Sequence, residues 1–130
     1  MKSVKFFASL GVVPGYGHDN NLLVSASEVD IAGNAWQKAA AAVMAASGIY
    51  IGAVITPAHT VYHTDWGCPV GGEVTVLITG ECNPVYTEQA AYKAAVIEVL
   101  RQAALTLGQS TTQLSFMEVE FEYLDFRPKS

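Results

Sequence analysis

Apolar residues recur along this chain with two periods: every second position in short extended segments, and every third or fourth in two longer ones. Residues 4–13, with Phe6, Phe7, Leu10, Val12 and Val13, are almost continuously apolar, which predicts a first strand covered on both faces. A dense run of turn formers follows, Pro14-Gly15-Tyr16-Gly17-His18-Asp19-Asn20-Asn21, and residues 22–25 offer a short extended piece. A first helix starts near Ser27, capped by Ser27 or Asp30, with Glu28 and Asp30 at the positive end of its dipole. Ala32, Trp36, Ala39, Ala40 and Val43 share one face of it, and Gly48 ends it.

The next segments alternate. A second strand is predicted from residue 49 to about 55, with Pro57 ending regular pairing of a central strand. A third runs over 73–80, with Val74, Val76 and Ile78 on one face and Thr75, Leu77 and Thr79 on the other. A second helix follows Asn83-Pro84, with Thr87 as its N-cap and Glu88 in its first turn. Its apolar stripe is Tyr92, Val96, Val99, Leu100, Ala103 and Leu107, and Gly108 terminates it. A last strand over 114–123 sets Met117, Val119, Phe121 and Tyr123 against Glu118, Glu120 and Glu122. The order is β-α-β twice, a tandem α+β repeat. It is echoed by Phe6-Phe7-Ala8-Ser9-Leu10-Gly11 and Val76-Leu77-Ile78-Thr79-Gly80. Such a repeat closes either with both helices on one face of an antiparallel sheet (ferredoxin-like) or as two parallel units side by side (tautomerase-like).

Composition narrows the function. One domain across 1–130 is expected. Hydrophobic residues make up 51% and charged residues 15%, an excess that predicts apolar surface buried in an oligomer. Net charge is −5 and the seven Lys and Arg are scattered, so no nucleic-acid partner is expected. No apolar run spans a membrane and no signal-peptide core follows Met1-Lys2, which predicts a cytoplasmic protein without a membrane partner. Cys68 and Cys82 lack metal spacing and are expected to be reduced thiols.

The segment His59-Thr60-Val61-Tyr62-His63-Thr64-Asp65-Trp66 is the densest local chemistry. His59, His63 and Asp65 share a face if extended, and two imidazoles beside a carboxylate suit proton transfer. Extended chain separates His59 from His63 by about 13 Å, too far for one metal ion, so neither metal nor other cofactor is expected. Tyr50 and Trp66 are candidate walls of an apolar pocket for a small molecule. Gly15-Tyr16-Gly17 lacks the spacing of a nucleotide-binding loop.

The stretch Ala45-Ala46-Ser47-Gly48-Ile49-Tyr50-Ile51-Gly52-Ala53-Val54-Ile55 and the closing Leu114-Ser115-Phe116-Met117-Glu118-Val119-Glu120 resemble the tautomerase superfamily, over roughly residues 35 to 125. The resemblance implies a homotrimer with sites at subunit boundaries. It also implies a catalytic N-terminal proline, and an arginine after the second strand to hold a carboxylate. This chain begins Met1-Lys2, and Thr56 stands at about the arginine position. The implied reading is a divergent, proline-independent isomerase, with Lys2, His59 and His63 as catalytic candidates and Tyr50, Thr56 and Trp66 as substrate-binding ones. The alternative is a non-catalytic ligand-binding or structural oligomeric module.

Overall fold

The computed structural model describes residues 1–12 and 27–129. The turn cluster 14–21, the extended piece 22–25 and the Gly15-Tyr16-Gly17 motif lie outside the described residues. Strand β1 (Lys2–Gly11) is followed by helix α1 (Glu28–Ser47), β2 (Val54–Thr60), β3 (Glu73–Glu81), helix α2 (Gln89–Thr106) and β4 (Gln113–Glu120). A single 3-10 turn, Thr64–Trp66, sits between β2 and β3. The result is a small α+β unit with two helices and one four-stranded sheet.

The strands order as β2-β3-β1-β4, and every neighbouring pair is antiparallel. β1 and β2 therefore do not touch, because β3 lies between them. Val4, Phe6, Ala8 and Leu10 turn from β1 toward the helices and are buried, as are Val76 and Ile78 of β3. They meet the predicted stripes of both helices: Ala32, Trp36, Ala39, Ala40 and Val43 from α1, and Tyr92, Val96, Val99, Leu100 and Ala103 from α2. At the centre the Phe6 ring stacks on Trp36, with centroids 5.7 Å apart. The other face of β1 is only half covered, at Lys5, Phe7 and Ser9, so this strand is not sealed on both sides as its apolar run predicts.

Two strand boundaries differ from expectation for one reason, that pairing partners set them and periodicity does not. β2 is shifted to Val54–Thr60 and runs through Pro57. It is an edge strand bonded only to β3, where a missing N–H can face outward. The preceding 49–53 stretch is held by the helix instead: Trp36 Nε1 donates to the Ile51 carbonyl at 3.0 Å. β4 ends at Glu120 and not at residue 123: Glu120 pairs with Lys2, the Phe121 amide still donates to the Met1 carbonyl at 2.7 Å, and the described pairing with β1 ends there. Tyr123, Leu124 and Phe126 are consequently exposed.

The helix ends follow side-chain chemistry. Ser27 caps α1 by accepting from the Asp30 amide at 3.1 Å, as expected. The cap of α2 is Glu88 and not Thr87, since the Glu88 carboxylate accepts from the amides of Ala90 and Ala91 at 2.9 and 3.0 Å. Two bonds to otherwise orphaned amides outweigh the one a threonine hydroxyl can make. Among the described residues no helix is long and apolar enough to cross a membrane.

Phe6→Ala removes the ring at the centre of the core and is expected to cost about 3–5 kcal/mol, read by urea unfolding; a loss below about 1 kcal/mol contradicts this packing. The two amide bonds hold the Glu88 carboxyl below its ordinary pKa. Its stabilising contribution is thus present above the unfolded pKa, near 4.5, and is lost as pH falls through the lower folded value. Glu88→Gln is expected to flatten the fall in melting temperature between about pH 5 and pH 3 relative to the parent chain. Parallel curves for the two proteins contradict the cap.

Candidate active site

The sheet register brings four element ends together. Gly11, the last residue of β1, lies opposite Thr75, and Thr60, the last of β2, lies opposite Glu73, the first of β3. On the other side Ser9 pairs with Gln113, the first residue of β4. The 108–112 connection from α2 crosses the same end of the sheet. Between these pieces lies a cavity of about 570 Å³, within the usual size range of small-molecule sites.

Two glycines shape it. Gly72 has φ +103°, and a Cβ there would stand 3.0 Å from the Thr60 carbonyl oxygen. Its absence lets β3 begin hard against the end of β2, which sets Glu73 at the cavity wall. A Cβ on Gly11 would meet Gln109 Oε1 at 2.7 Å, so the Gln109 side chain lies over the end of β1 only because that position is glycine. The wall is fastened further by the Thr112 hydroxyl, which donates to the Ser9 carbonyl. On the floor Thr60 Oγ1 and Thr75 Oγ1 are 3.0 Å apart, a hydrogen bond in which either oxygen can donate. Thr75 is one of the few buried polar residues, at 3% exposure.

The lining is rich in hydroxyls, from Ser9, Thr60, Tyr62, Thr75, Ser110, Thr111 and Thr112. Tyr62 is half-buried with its hydroxyl shielded from solvent. Among the described lining residues Glu73 is the one carboxyl side chain, and it is half-buried. No Lys, Arg or His is among them. A cleft with one carboxylate, one aromatic ring and neutral hydrogen-bonding groups favours a ligand that carries positive charge and several polar groups.

The sequence-predicted candidates do not gather here. His59 is exposed on β2, opposite Val74, and points away from the cavity lining. His63 is exposed and caps the 3-10 turn, its Nδ1 accepting from the Asp65 amide at 3.1 Å. That bond uses the Nδ1 lone pair, so the 3.6 Å approach of the Asp65 carboxylate becomes an ion pair only when the ring is protonated. Trp66 packs near His63, with ring centroids 5.7 Å apart, and is itself mostly exposed. Tyr50 is exposed, and Thr56 is exposed opposite Leu77. Lys2 stands at the far end of β1, nine residues from Gly11, which is about 30 Å along a strand. The Met1 α-amine beside it forms an ion pair with Glu120 at 2.7 Å. That hydrogen bond raises the amine's pKa, the reverse of what an amine base at neutral pH needs. Cys68 and Cys82 are both free and buried.

Tyr62 and Glu73 line the cavity and are not among the candidates that the sequence singles out. Tyr62 sat within the segment singled out for its histidines. Glu73 reads as an ordinary polar start of a strand; the one local signal was the Gly71-Gly72 pair before it.

A family model described as SAM lyase matches residues 1–125. Comparison with curated proteins and with solved structures gave no match. The family match overturns the resemblance to the tautomerase superfamily, and with it the isomerase activity that the resemblance implied. The resemblance rested on an alanine-rich helix end, a short apolar strand and an order of elements. Helix–sheet packing alone produces all three, whatever the chemistry. With nearly its whole length matched, the chain belongs to the SAM lyase family.

Proposed function

We propose that the chain cleaves S-adenosylmethionine without water, in the cavity at the Gly11 end of β1. The observation that carries this reading is the lining: one carboxylate, Glu73, beside the Tyr62 ring in a cleft otherwise walled by neutral polar groups. S-adenosylmethionine presents a sulfonium and an ammonium to such a site, together with a carboxylate, ribose hydroxyls and an adenine ring.

A lyase has two direct routes to break the Cγ–S bond. Elimination takes a proton from Cβ and needs a positioned base. Intramolecular displacement needs none: a substrate carboxylate oxygen attacks Cγ, the O–Cγ bond forms, and the Cγ–S electron pair leaves on sulfur. The products are 5′-methylthioadenosine and homoserine lactone, with the ammonium retained. One negative and one positive charge disappear together. Among the described lining residues Glu73 is the one carboxylate that could take this proton, and its pairing with the substrate ammonium leaves elimination without a free base, which favours the second route.

The roles follow from where charge changes. The sulfonium loses its charge as the bond breaks, so a carboxylate beside it would stabilise the starting state more than the transition state. The ammonium keeps its charge throughout. Glu73 therefore pairs with the ammonium, which also withdraws that cation from the attacking carboxylate. The Tyr62 ring face offers the sulfonium a weaker, polarizable contact. The enzyme's main task is to fold the substrate chain so that oxygen and Cγ are within reach of attack.

The strand order, with β3 between two parallel strands and the helices packed on one face, supports the ferredoxin-like reading of the fold. The face away from the helices exposes Val54, Leu77 and Met117, which supports assembly of several copies, with three as the expected number.

Incubation of the protein with S-adenosylmethionine in ¹⁸O-water is expected to release 5′-methylthioadenosine and unlabelled homoserine lactone, resolved by mass spectrometry. Labelled homoserine as the first product, or vinylglycine, contradicts displacement. Glu73→Gln is expected to lower kcat/KM about 10²–10³-fold, the scale of losing one oriented electrostatic partner. Activity within about twofold of the parent chain removes Glu73 from the site. Light scattering after gel filtration is expected to report three chains, and a monomer at micromolar concentration contradicts assembly.

A further inference from the structure

Resting on that reading, we propose that Thr60, held by Thr75, forms with Glu73 a subsite for the α-amino-acid head of the substrate, Thr60 donating to its carboxylate. Thr60 and Glu73 are directly opposed in the β2–β3 register. Opposed residues on one face of an antiparallel pair place their Cβ atoms about 4.5–5.5 Å apart. An α-amino acid carries its ammonium and its carboxylate on one carbon, so it needs an anionic acceptor and a neutral donor side by side. Glu73 and Thr60 are such a pair at the cavity wall.

The second observation is the hydroxyl pair behind it. Thr75 is buried at 3% exposure, and its Oγ1 lies 3.0 Å from Thr60 Oγ1. When Thr75 donates to Thr60, the Thr60 proton is directed to a third partner, and each bond in such a chain polarises the next. Half-buried Thr60 then presents the donor to the ligand, and Thr75 is a positioning residue acting through it. Neutral hydroxyls also suit a carboxylate that must act as nucleophile. A guanidinium would bind it more tightly and draw off the electron density it needs for attack. Arg101 is turned elsewhere, fastened to Glu98 by hydrogen bonds of 2.9 and 2.6 Å.

The test compares two ligands that cannot be cleaved, S-adenosylhomocysteine and its decarboxylated analogue, by calorimetry. The parent chain is expected to prefer the carboxylate-bearing ligand at least about tenfold, the scale of a hydrogen bond to a charged group. Thr60→Val is expected to bind the two alike, and Thr60→Ser to restore the preference. Thr75→Val replaces a buried hydroxyl by a methyl of similar size. It is expected to keep the fold, to lower the preference part of the way, and to raise KM for S-adenosylmethionine more than it lowers kcat. Should Thr60→Val fail to fold, Thr75→Val and Thr60→Ser carry the comparison. A Thr60→Val protein that keeps the parental preference, or loses affinity for both ligands by one factor, overturns the subsite. If the parent chain still cleaves S-adenosylmethionine, the proposed function survives that result. A parent chain that binds neither ligand and cleaves nothing overturns both.

Discussion

The central position of β1 governs where everything else in this molecule falls. It is hydrogen-bonded along its length to β3 on one side and β4 on the other, in fixed registers. Because side chains alternate along a strand, a slip of one residue would turn Phe6 and Leu10 away from the helices and bring Lys5 and Phe7 into the core. The buried set on β1 therefore enforces the register. The register in turn puts Gly11 opposite Thr75 and Ser9 opposite Gln113. The cavity exists at that end of the sheet because four strands and the 108–112 connection are obliged to meet there.

Much of the scaffold is written in local periodicity. The faces of α1 and α2 are buried residue for residue as their spacing predicts, from Ala32 and Trp36 to Leu100 and Ala103. Spacing records which side of an element is covered, and that is the information packing uses. It does not record what covers it. For that reason β2 starts later than its apolar run, tied off by Trp36, and β4 ends earlier than its alternation, next to the backbone bonds between Phe121 and Met1. The choice of Glu88 over Thr87 as cap lies within one residue of expectation, since both can accept from helix amides.

The site was far less legible. Histidines draw attention because they titrate near neutral pH, yet His59 and His63 lie on exposed surface. The cavity is made of residues that sequence reading treats as filler: threonines, a serine, two glycines and one glutamate at a strand start. Their significance comes from long-range juxtaposition, Thr60 with Glu73 across a turn and Gly11 with Gln109 across the chain, which no local window contains. A reaction whose nucleophile is supplied by the substrate also leaves little trace in the usual catalytic residue types. In the proposed reaction the protein's part is to fold its ligand, and that calls for shape and neutral donors more than for perturbed acids and bases.

The two tryptophans occupy opposite environments, Trp36 at 4% exposure against Phe6 and Trp66 at 72% on the loop between β2 and β3. The indole of Trp36 emits from an apolar interior, and that of Trp66 from water. Iodide added to the folded protein reaches the second and not the first, so one spectrum contains two separable signals. The blue, unquenched component reports the centre of the fold. The red, quenchable one reports the loop that carries Tyr62 to the cavity wall. The chain is thus labelled by its own residues at the core and beside the site, and unfolding can be told apart from local rearrangement of that loop without any added dye.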